Sequence, residues 1–336
     1  MTNIREVAKK AGVSVATVSR AMQKPDVVSE KTRKKVEEAA RDVGYKPNMM
    51  AQVFRSKKTY SILVLVPDMS NPFFARVISG IQKAARARGY NVVLGNTLGN
   101  IKTEQELAQL LLTSQTDGII QLSARYPLDD RERKSGQALP IVNCCECVDD
   151  GSMPTIQLDN KEAAKAIINY LIGLGHRRIG VIAGPPQSPL TRDRMAGYRE
   201  ALESQGLVYD ESLVVEGDYS LEAGEKGARL LLSGDQSPTA LFCFNDEMAF
   251  GAMRGIKHAG YGVPADVSVA GFDDLPFSKY MEPALTSVRQ PSEEFGPAAV
   301  SQLFKMIDGQ EITRRNQLMP FELAIRASTG PAPKSE

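Results

Sequence analysis

A chain of 336 residues is too long for one simple core and predicts two or three domains. With 42% hydrophobic and 24% charged residues it has the composition of an ordinary globular protein, and no apolar stretch approaches the ~18 residues that a membrane span needs. Its net charge of +1 is unevenly distributed, because residues 1–59 hold 14 lysines and arginines against 6 acidic residues, while the remainder holds 27 against 34. A basic N-terminal region on an acidic body indicates a polyanionic partner for the N-terminal region alone.

The N-terminal region predicts two short helices joined by a tight turn. Apolar residues at helical spacing form a first helix that ends at Gly12, and Ser14 is the N-cap of a second helix over Val15–Met22, which stops before Pro25. The inward residues of the two helices are Ile4, Val7, Ala8, Ala11, Val18, Ala21 and Met22. The outward residues of the second helix are short side chains and Arg20. Short side chains let a helix approach the bases in the major groove, and an arginine can reach a base edge, with arginine to guanine the commonest specific contact. The pair is a helix-turn-helix with a candidate recognition helix.

A third predicted helix follows, capped by Ser29 and ended by Gly44. Its inward positions are Val36, Ala39, Ala40 and Val43, and its basic side is formed by Lys31, Arg33, Lys34 and Lys35. That side is available to a DNA backbone. The alternative interpretation, a small helical bundle with a solvated charged face, does not account for the charge asymmetry along the chain.

The runs "IREVAKKAGVSVATVSRAM" and "VSEKTRKKVEEAARDVGYKPN" resemble the LacI/GalR family of bacterial transcription regulators, and the resemblance covers nearly the whole chain. The resemblance implies base contacts by Val15, Ala16 and Arg20. It also implies phosphate contacts by Ser14, Thr17, Ser19, Ser29, Thr32, Tyr45 and Asn48. The partner of this region is therefore expected to be double-stranded operator DNA.

Between "KPN" and "KKT" the family has a hinge that folds on DNA and inserts a leucine into the minor groove. This sequence departs from the usual pattern there, because it reads "AQVFRS" with Gln52 in place of an arginine and Phe54 in place of the leucine. Phenylalanine is also a competent wedge between base steps, so Phe54 is expected to contact bases at the operator centre. A linker that is unstructured away from DNA is compatible with this expectation.

From Tyr60 onward, apolar runs of strand length alternate with helical stretches. The predicted strands are "SILVLVPD", "YNVVLGN", "DGIIQLS", "PIVNCC" and "TIQLDN", and then "RIGVIAG", "LVVEGD", "TALFCF", "DVSVAGFD" and "LTSVRQP". The predicted helices are Pro72–Gly89, Lys102–Ser114, Lys161–Gly173, Thr191–Gln205, Leu221–Leu232, Asp246–Ala259 and Ser292–Ile307. The restart of the βα pattern predicts an α/β protein with two doubly wound parallel-sheet lobes behind an all-α helix-turn-helix head. The family resemblance makes these lobes of the periplasmic-binding-protein type.

The domain boundaries follow from this pattern and from the resemblance. Residues 1–46 are the predicted helix-turn-helix domain, 47–59 the hinge, and 60–336 an effector-binding and dimerisation core. Lobe 1 is expected over about residues 60–159 and 291–319, and lobe 2 over about 160–290 and 320–330. In the family the chain crosses between the lobes three times, here near Asp159–Asn160, Gln290–Pro291 and Met319–Phe321. A cleft between two such lobes, at the carboxyl ends of the strands, is where ligands bind in open α/β sheets.

Strand ends supply the candidates for an effector site. "SNPFF" places Phe73 and Phe74 after the first strand, where an aromatic ring stacks on a base or on the apolar face of a sugar, and Ser123 follows "GIIQL". Phe74 as a core residue is the alternative for that position.

The resemblance adds three further candidates in the second lobe. It implies that Arg194 holds a hydroxyl or carbonyl of the ligand, that Tyr219 forms an aromatic wall, and that Asp273 accepts hydrogen bonds from a ribose or pyranose diol. An Asp273 that caps a helix or pairs with Arg194 is the alternative. Together these groups fit a neutral, polyhydroxylated ligand with a ring.

The resemblance is strongest to the cytidine-type, nucleoside-responsive branch of the family, with sugar-responsive repressors as the alternative. A purine-type site is disfavoured, because Ser188 and Leu190 stand where that branch carries an arginine and a threonine. The resemblance implies a homodimeric repressor on a pseudo-palindromic operator. It is also compatible with another transcription regulator as a further partner, and with activation in place of repression. The tail lacks leucine heptads, so the rarer tetramer-forming helix is not expected.

Few side chains are available for metal or covalent chemistry. The cysteines and histidines are Cys144, Cys145, Cys147, Cys243, His176 and His258, without metal-ligand spacing or a catalytic set. There is no dinucleotide fingerprint and no P-loop, so no cofactor and no enzymatic activity are expected. The N-terminus lacks a signal-peptide pattern, which indicates a cytoplasmic protein without a membrane partner. The same observation disfavours a solute-binding protein. A sugar-processing enzyme is disfavoured because the sequence lacks a set of acid and base residues for catalysis.

Overall fold

The structure, a computed structural model, describes residues 3–23, 27–45, 58–133, 139–146, 151–234 and 237–333. The chain divides into two compact units, Met1–Thr59 and Tyr60–Glu336. No helix among the described residues is long and apolar enough to cross a membrane.

Within residues 3–23 and 27–45 the N-terminal unit contains three helices, α1 (Ile4–Ala11), α2 (Val15–Gln23) and α3 (Glu30–Asp42). The side chain of Asn3 caps α1 by accepting from the backbone N–H groups of the first turn, and Gly12 ends this helix with a φ of 64°. A left-handed residue at that place suits glycine and produces the tight turn into α2.

One fully buried valine from each helix forms the centre of the N-terminal unit: Val7, Val18 and Val36. The surrounding positions are small, namely Ala8, Ala11, Ala21, Ala39 and Ala40. Small residues let the helices approach closely, so the alternation of alanine and valine in the sequence specifies a compact three-helix core. The predicted helix-turn-helix is therefore present.

The described residues of the larger unit form two sheets of six strands each. The first sheet has the order β11-β5-β4-β3-β1-β2, with β1 Ser61–Val66, β2 Asn91–Asn96, β3 Gly118–Gln121, β4 Ile141–Cys145, β5 Thr155–Leu158 and β11 Asn316–Met319. The second has the order β12-β10-β9-β8-β6-β7, with β6 Ile179–Ala183, β7 Val214–Glu216, β8 Ala240–Cys243, β9 Ser268–Asp273, β10 Thr286–Arg289 and β12 Glu322–Ala324. The recorded pairings are parallel except β10 with β12. Two doubly wound lobes are confirmed.

Helices follow most of the strands. They are α4 Pro72–Ala87, α5 Ile101–Leu112, α6 Asp130–Arg133, α7 Asn160–Gly173, α8 Pro189–Ser204, α9 Leu221–Leu232, α10 Asp246–His258 and α11 Phe295–Ile307, with short 3-10 turns at Glu211–Leu213 and Ser278–Tyr280. Residues 62–66 of β1 are all buried, as expected for a strand covered on both faces.

Helices α4 and α11 pack at unusually close range through two glycines. A Cβ on Gly80 would lie 2.1 Å from the carbonyl oxygen of Glu293, and a Cβ on Gly296 would lie 2.2 Å from the backbone nitrogen of Ile81. The turn over residues 292–294 fits into this contact, so α11 begins at Phe295 and not at Ser292 as the sequence suggests.

The chain passes between the sheets after β5, after β10 and after β11. The carboxyl ends of β1, β4, β8 and β9 therefore bring residues from both lobes to a common region. This arrangement positions the cavity described below.

Candidate functional site

Helix α2 presents small side chains and one arginine to solvent. Val15 is 41% exposed, and Ala16 and Arg20 are also exposed. These residues lie on the side of α2 away from Val18 and Ala21, which are buried in the helical core. The three residues expected to contact bases are therefore accessible together.

Two matching caps stand at the starts of α2 and α3. The Ser14 hydroxyl accepts from the Thr17 N–H at 3.1 Å and lies 2.9 Å from the Thr17 hydroxyl. The Ser29 hydroxyl makes the same contacts with Thr32, at 3.4 Å and 2.9 Å. Because helix N-termini carry free N–H groups and a partial positive charge, both ends suit phosphate oxygens.

The remaining candidates for phosphate contact are distributed differently. Ser19 on α2 is half-buried, and Tyr45 packs partly against the helical core. Asn48 and Phe54, and with them Gln52, lie outside the described residues. Their roles stay predictions.

Several basic side chains of the N-terminal unit are engaged in ion pairs with acidic neighbours. These pairs are Lys10–Asp42 at 2.9 Å, Lys34–Glu30 at 2.9 Å and Arg33–Glu37 at 3.7 Å. Within residues 3–23 and 27–45 the structure records no ion pair for Arg20, Lys31 or Lys35. These side chains remain available to an anionic partner.

The larger unit contains a cavity of ≈ 220 Å³ where strand ends of both sheets meet. It is lined by Pro67, Asp68, Asn71, Phe73, Phe74, Cys145, Glu146, Leu190, Arg194, Asp218, Tyr219, Asn245, Asp273 and Gln290. The cavity combines aromatic rings with charged groups and limits an occupant to a small molecule. Five of the six predicted effector residues line it.

Arg194 is held rigidly at the cavity wall and is only 3% exposed. Its Nε donates to Asn160 Oδ1 at 3.0 Å, its Nη1 donates to the carbonyl oxygen of Phe244, and its Cζ lies 3.6 Å from the ring centroid of Phe272. Burial lowers the pKa of the guanidinium, and Asp273 acts in the opposite direction. Nη2 remains the donor available to a ligand, since the structure records no bond for it.

Asp273 is the acceptor that faces this arginine in the same cavity. Gln290 Nε2 donates to its Oδ1 at 2.6 Å. Burial raises the pKa of the Asp273 carboxyl to about 7, although Arg194 and the Gln290 bond both favour the ionised form. Its second oxygen has no recorded partner and is positioned to accept a hydrogen bond from a hydroxyl or amino group.

Three residues of the lining have left-handed backbone conformations. The φ angles are 78° at Cys145, 70° at Tyr219 and 112° at Asp273. Such conformations cost about 1–3 kcal/mol each in residues other than glycine and persist where the surrounding structure imposes them. Their concentration around one cavity is typical of a binding site.

The aromatic residues of the cavity differ in burial. Phe73 is 7% exposed and contacts Phe295 edge-to-face with centroids 6.3 Å apart, whereas Phe74 is only partly buried. Tyr219 is fixed by its hydroxyl, which lies 3.0 Å from the Thr191 hydroxyl. Phe74 and Tyr219 are therefore the rings most available for stacking.

Ser123 does not line the cavity. Its hydroxyl donates to Glu104 Oε2 at 2.9 Å and accepts from Gln121 Nε2 at 2.5 Å, in a buried polar cluster beside α5. The sequence around β3 does not predict the hydrogen bond to Glu104, because Glu104 lies on a helix nineteen residues earlier.

Among the lining residues that were not predicted as site residues, Glu146 and Gln290 carry polar groups that bear on ligand binding. Glu146 follows β4, and burial raises the pKa of its carboxyl to about 7 while the Ala124 N–H donates to it. Gln290 positions Asp273 from the second chain crossing. Glu146 also follows a predicted strand, as Phe73 does, but it stands between the cysteines of "CCEC" and was not selected as a site residue.

Asn245 and Asp246, which follow β8, have structural roles. Asn245 caps α10 by accepting from the Met248 N–H at 2.9 Å and donates to the Tyr219 carbonyl at 2.9 Å. Asp246 is fully buried and accepts from the Leu275 N–H, the Ser278 hydroxyl and the Ser287 hydroxyl at 2.5–2.7 Å. Burial raises the pKa of Asp246 to about 8, and the nearby Asp273 charge acts in the same direction.

A wider groove of ≈ 470 Å³ lies beside the chain crossings. Its Arg289 already pairs with Asp274 at 2.7 Å and with Glu322 at 3.0 Å. Because these charges neutralise one another, the smaller cavity is the better candidate for ligand binding.

Metal-ligating and nucleophilic side chains do not gather in the described part of the chain. No group of three or more His, Cys, Asp or Glu side chains is arranged there to hold a metal ion. His176 is buried and contacts Thr239 and Ser268, and Cys144, Cys145 and Cys243 are buried free thiols. These residues fill the core.

Comparison with known families gives two matches along the chain. Residues 3–48 match the family described as "Bacterial regulatory proteins, lacI family", and residues 168–329 match "Periplasmic binding protein-like domain". The chain is also 40% identical over 330 residues to the HTH-type transcriptional repressor CytR of Escherichia coli (strain K12), which covers 98% of this chain and 97% of that protein.

Solved structures agree with these matches. A crystal structure of the lac repressor dimer bound to operator and the anti-inducer ONPF superposes with a TM-score of 0.87 at 30% identity, over 98% of this chain and 99% of that one. The complex of the transcriptional regulator CelR with cellobiose superposes with a TM-score of 0.73 at 30% identity, over 98% and 100%. The comparison proteins with named functions are regulators of transcription and not enzymes.

Proposed function

The chain belongs to the lacI family of bacterial regulatory proteins, and from this we propose that it is a DNA-binding transcriptional repressor controlled by a small neutral effector. One observation supports this best: the same polypeptide exposes Val15, Ala16 and Arg20 on α2 and surrounds a small cavity with Arg194 and Asp273. A surface for reading DNA and a pocket for sensing a metabolite are the two parts that such a regulator needs. We place its action in the cytoplasm, where the chromosome is accessible.

In the proposed complex α2 lies in the major groove, with Arg20 donating to a guanine edge. The N-termini of α2 and α3 bind phosphates, and Phe54 inserts at the operator centre. Two chains bind a pseudo-palindrome as a homodimer, one half-site each. The lac repressor structure, which is a dimer on operator, supports this arrangement by similarity.

We propose a nucleoside as the effector. Phe74 and Tyr219 would stack on a flat base, Asp273 would accept from ribose hydroxyls, and Nη2 of Arg194 would donate to a carbonyl or hydroxyl. The resemblance of the sequence to the cytidine-type branch of the family favours this ligand over others. A sugar is the second candidate, because the same donor and acceptor bind a pyranose diol and the related CelR was solved with cellobiose.

The effector would act by closing the lobes over the cavity. The lining residues Glu146 and Asp273 come from different sheets, so a ligand that contacts both stabilises the closed arrangement. A ligand changes an equilibrium only by its differential affinity for the two states. Closure would then determine whether the paired hinges fold on DNA.

Selection from a random duplex library with the full-length protein tests the proposal. We expect a pseudo-palindromic consensus and a complex of two chains per duplex by sedimentation. A nucleoside should change the affinity for this duplex, measured by fluorescence anisotropy at fixed salt, because salt alone alters DNA binding steeply. Enrichment of no sequence would refute the DNA-binding function, and turnover of a nucleoside or sugar would indicate an enzyme.

A further inference from the structure

The first residue of the larger unit, Tyr60, is held by the chain on both sides of β1. Its N–H donates to Asp117 Oδ2 at 2.9 Å, and its carbonyl oxygen accepts from the Asn91 N–H at 2.8 Å. Asp117 also donates its own backbone N–H to the carbonyl oxygen of Ser61 at 2.8 Å. Asn91 begins β2 and Asp117 immediately precedes β3, and these two strands flank β1 in the sheet. The start of β1 is therefore fixed from either side.

The backbone of Tyr60 has a conformation that a bulky side chain rarely adopts. Its φ is 52°, in the left-handed region. Such a conformation is unfavourable for residues other than glycine and persists only where neighbouring contacts impose it. Without the bond to Asp117, Tyr60 would relax toward an extended backbone, and the chain before it would leave the sheet in another direction. That direction therefore depends on one carboxylate.

The ring of Tyr60 adds a further contact. Its centroid lies 5.4 Å from that of the Tyr90 ring, and Tyr90 in turn contacts Phe304 of α11 edge-to-face with centroids 4.6 Å apart. Tyr90 is buried, and this burial and the nearby charge of Asp117 both raise the pKa of its phenol. Backbone and ring together join Tyr60 to the first sheet and to α11, so that it follows their movements.

We infer that Asp117 is a positioning residue for DNA binding, which acts through Tyr60 by fixing the direction in which the chain leaves the larger unit. This inference rests on the proposed function and adds a rigid joint to it. Two N-terminal units bind two half-sites at once only at a defined spacing, and a preorganised connection lowers the cost of ordering them. The same rigidity lets a movement of the first lobe act on the chain that leads to the helix-turn-helix.

The affinities of full-length variants for two kinds of duplex test the inference. Asp117→Ala removes the acceptor, and we expect it to weaken binding to the selected operator about fivefold or more, because the joint must then be ordered on binding. Affinity for a random duplex should stay within about twofold of the wild-type value, since phosphate contacts carry that binding. A partly unfolded protein would lose both affinities by the same factor. Fluorescence anisotropy at fixed salt measures both.

Two variants separate the acceptor from general destabilisation. Asp117→Asn keeps an oxygen that can accept from the Tyr60 N–H, so it should retain most of the operator affinity. Asp266→Ala is the matched control, because Asp266 Oδ2 also accepts from a backbone N–H, that of Gly262, at 2.6 Å. This bond precedes β9 in the second sheet, and its loss should leave operator binding unchanged.

Tyr60→Gly tests the joint with Asp117 left in place. Glycine adopts a φ of 52° without strain, but it also adopts many other conformations and lacks the ring that contacts Tyr90. The joint should therefore loosen although the backbone strain is gone, and operator affinity should fall while random-duplex affinity is retained. If Asp117→Ala does not fold, this variant decides the question, and operator affinity equal to that of the wild-type protein would refute the inference.

Limited digestion with trypsin reports on the joint in the absence of DNA. The Lys58–Thr59 bond lies just before Tyr60, and its cleavage requires the surrounding chain to open locally. Asp117→Ala should accelerate this cleavage severalfold, whereas Asp117→Asn and Asp266→Ala should not. Mass spectrometry of the fragments identifies the cleaved bond.

Three outcomes would overturn the inference: wild-type operator affinity in Asp117→Ala, an equal loss on operator and random duplex, or an Asp117→Asn variant as weak as Asp117→Ala. Failure of the proposed function is observed separately. A wild-type protein that selects no duplex is not a repressor, and the inferred role in DNA binding fails with it. The digestion then still shows whether Asp117 holds the start of β1.

Discussion

The ring of Tyr219 packs directly against the backbone of Gly184, the residue that follows β6. A Cβ on Gly184 would lie 2.2 Å from Tyr219 Cζ, 2.3 Å from its hydroxyl oxygen and 2.6 Å from the Thr191 hydroxyl. The glycine therefore makes room for an aromatic wall that is itself held by a hydrogen bond to Thr191. The position of this ring depends on the absence of a single methyl group.

Gly184→Ala should displace Tyr219 and weaken effector binding by about tenfold while leaving the ligand-free affinity for operator unchanged. Overpacking of this kind costs typically ~1–3 kcal/mol, so the melting temperature should also fall. Calorimetry and a thermal melt measure the two effects. Gly173→Ala is the control, because a Cβ there meets nothing within 4 Å. Unchanged effector affinity in Gly184→Ala would remove Tyr219 from the site.

Arg20→Ala should weaken binding to the selected operator by about 1–3 kcal/mol and relax discrimination at one base pair. The reason is that Arg20 is exposed on α2 and free of ion pairs within the described residues, so its guanidinium is available to a base edge. Anisotropy titrations against operators mutated at each position give the measurement. Arg41→Ala, an exposed arginine in the last turn of α3, should reduce binding little and without sequence preference. An equal loss for Arg20→Ala on all sequences would contradict base reading.

The fold follows from patterns that are local in sequence. Apolar residues at helical spacing locate α1–α3, and runs such as "SILVLV" mark strands buried on both faces. The start of α11 was misplaced by three residues, since it depends on the contact between Glu293 and Gly80, more than two hundred residues apart.

The effector site was predictable only where strand ends or the family resemblance indicated it. Phe74, Arg194 and Asp273 do line the cavity. Ser123 also follows a strand, but its hydroxyl donates to Glu104 in a buried polar cluster. The sequence near Ser123 does not predict this partner. No sequence pattern predicts the φ of 112° at Asp273 either, because the surrounding structure imposes this backbone conformation.

The ligand-free protein should become less stable as the pH rises from about 5 to 8. Asp246 has a pKa of about 8 in the folded protein against 3.8 in the unfolded chain, so in this interval the native state holds a proton that the unfolded state has lost. Stability then falls with pH by up to about 1.4 kcal/mol per pH unit for this group. Asp273 and Glu146, each with a pKa near 7, add to the slope below about pH 7.

Urea unfolding at several pH values measures this slope, and Asp246→Asn should reduce it because the amide does not titrate. Asp210→Asn is the control. The pKa of Asp210 is lowered by hydrogen bonds from Ser212, so this carboxylate is ionised in both states throughout the interval. A slope that Asp246→Asn leaves unaltered would show that Asp246 is already ionised in the folded protein.

Substitutions at Asp273 should separate effector binding from folding. Asp273→Asn and Asp273→Gly both lose the charged acceptor and should weaken effector binding by roughly 10- to 150-fold, the range expected for a hydrogen bond to a charged group. Their stabilities should differ, because glycine adopts a φ of 112° without strain. Asp273→Gly should therefore melt higher than Asp273→Ala, because both variants lose the bond from Gln290 and only the alanine variant retains the strain. All three variants should bind operator as the wild-type protein does, because Asp273 lies in the larger unit and α2 in the N-terminal one. A full effector response in Asp273→Ala would exclude this carboxylate from the site.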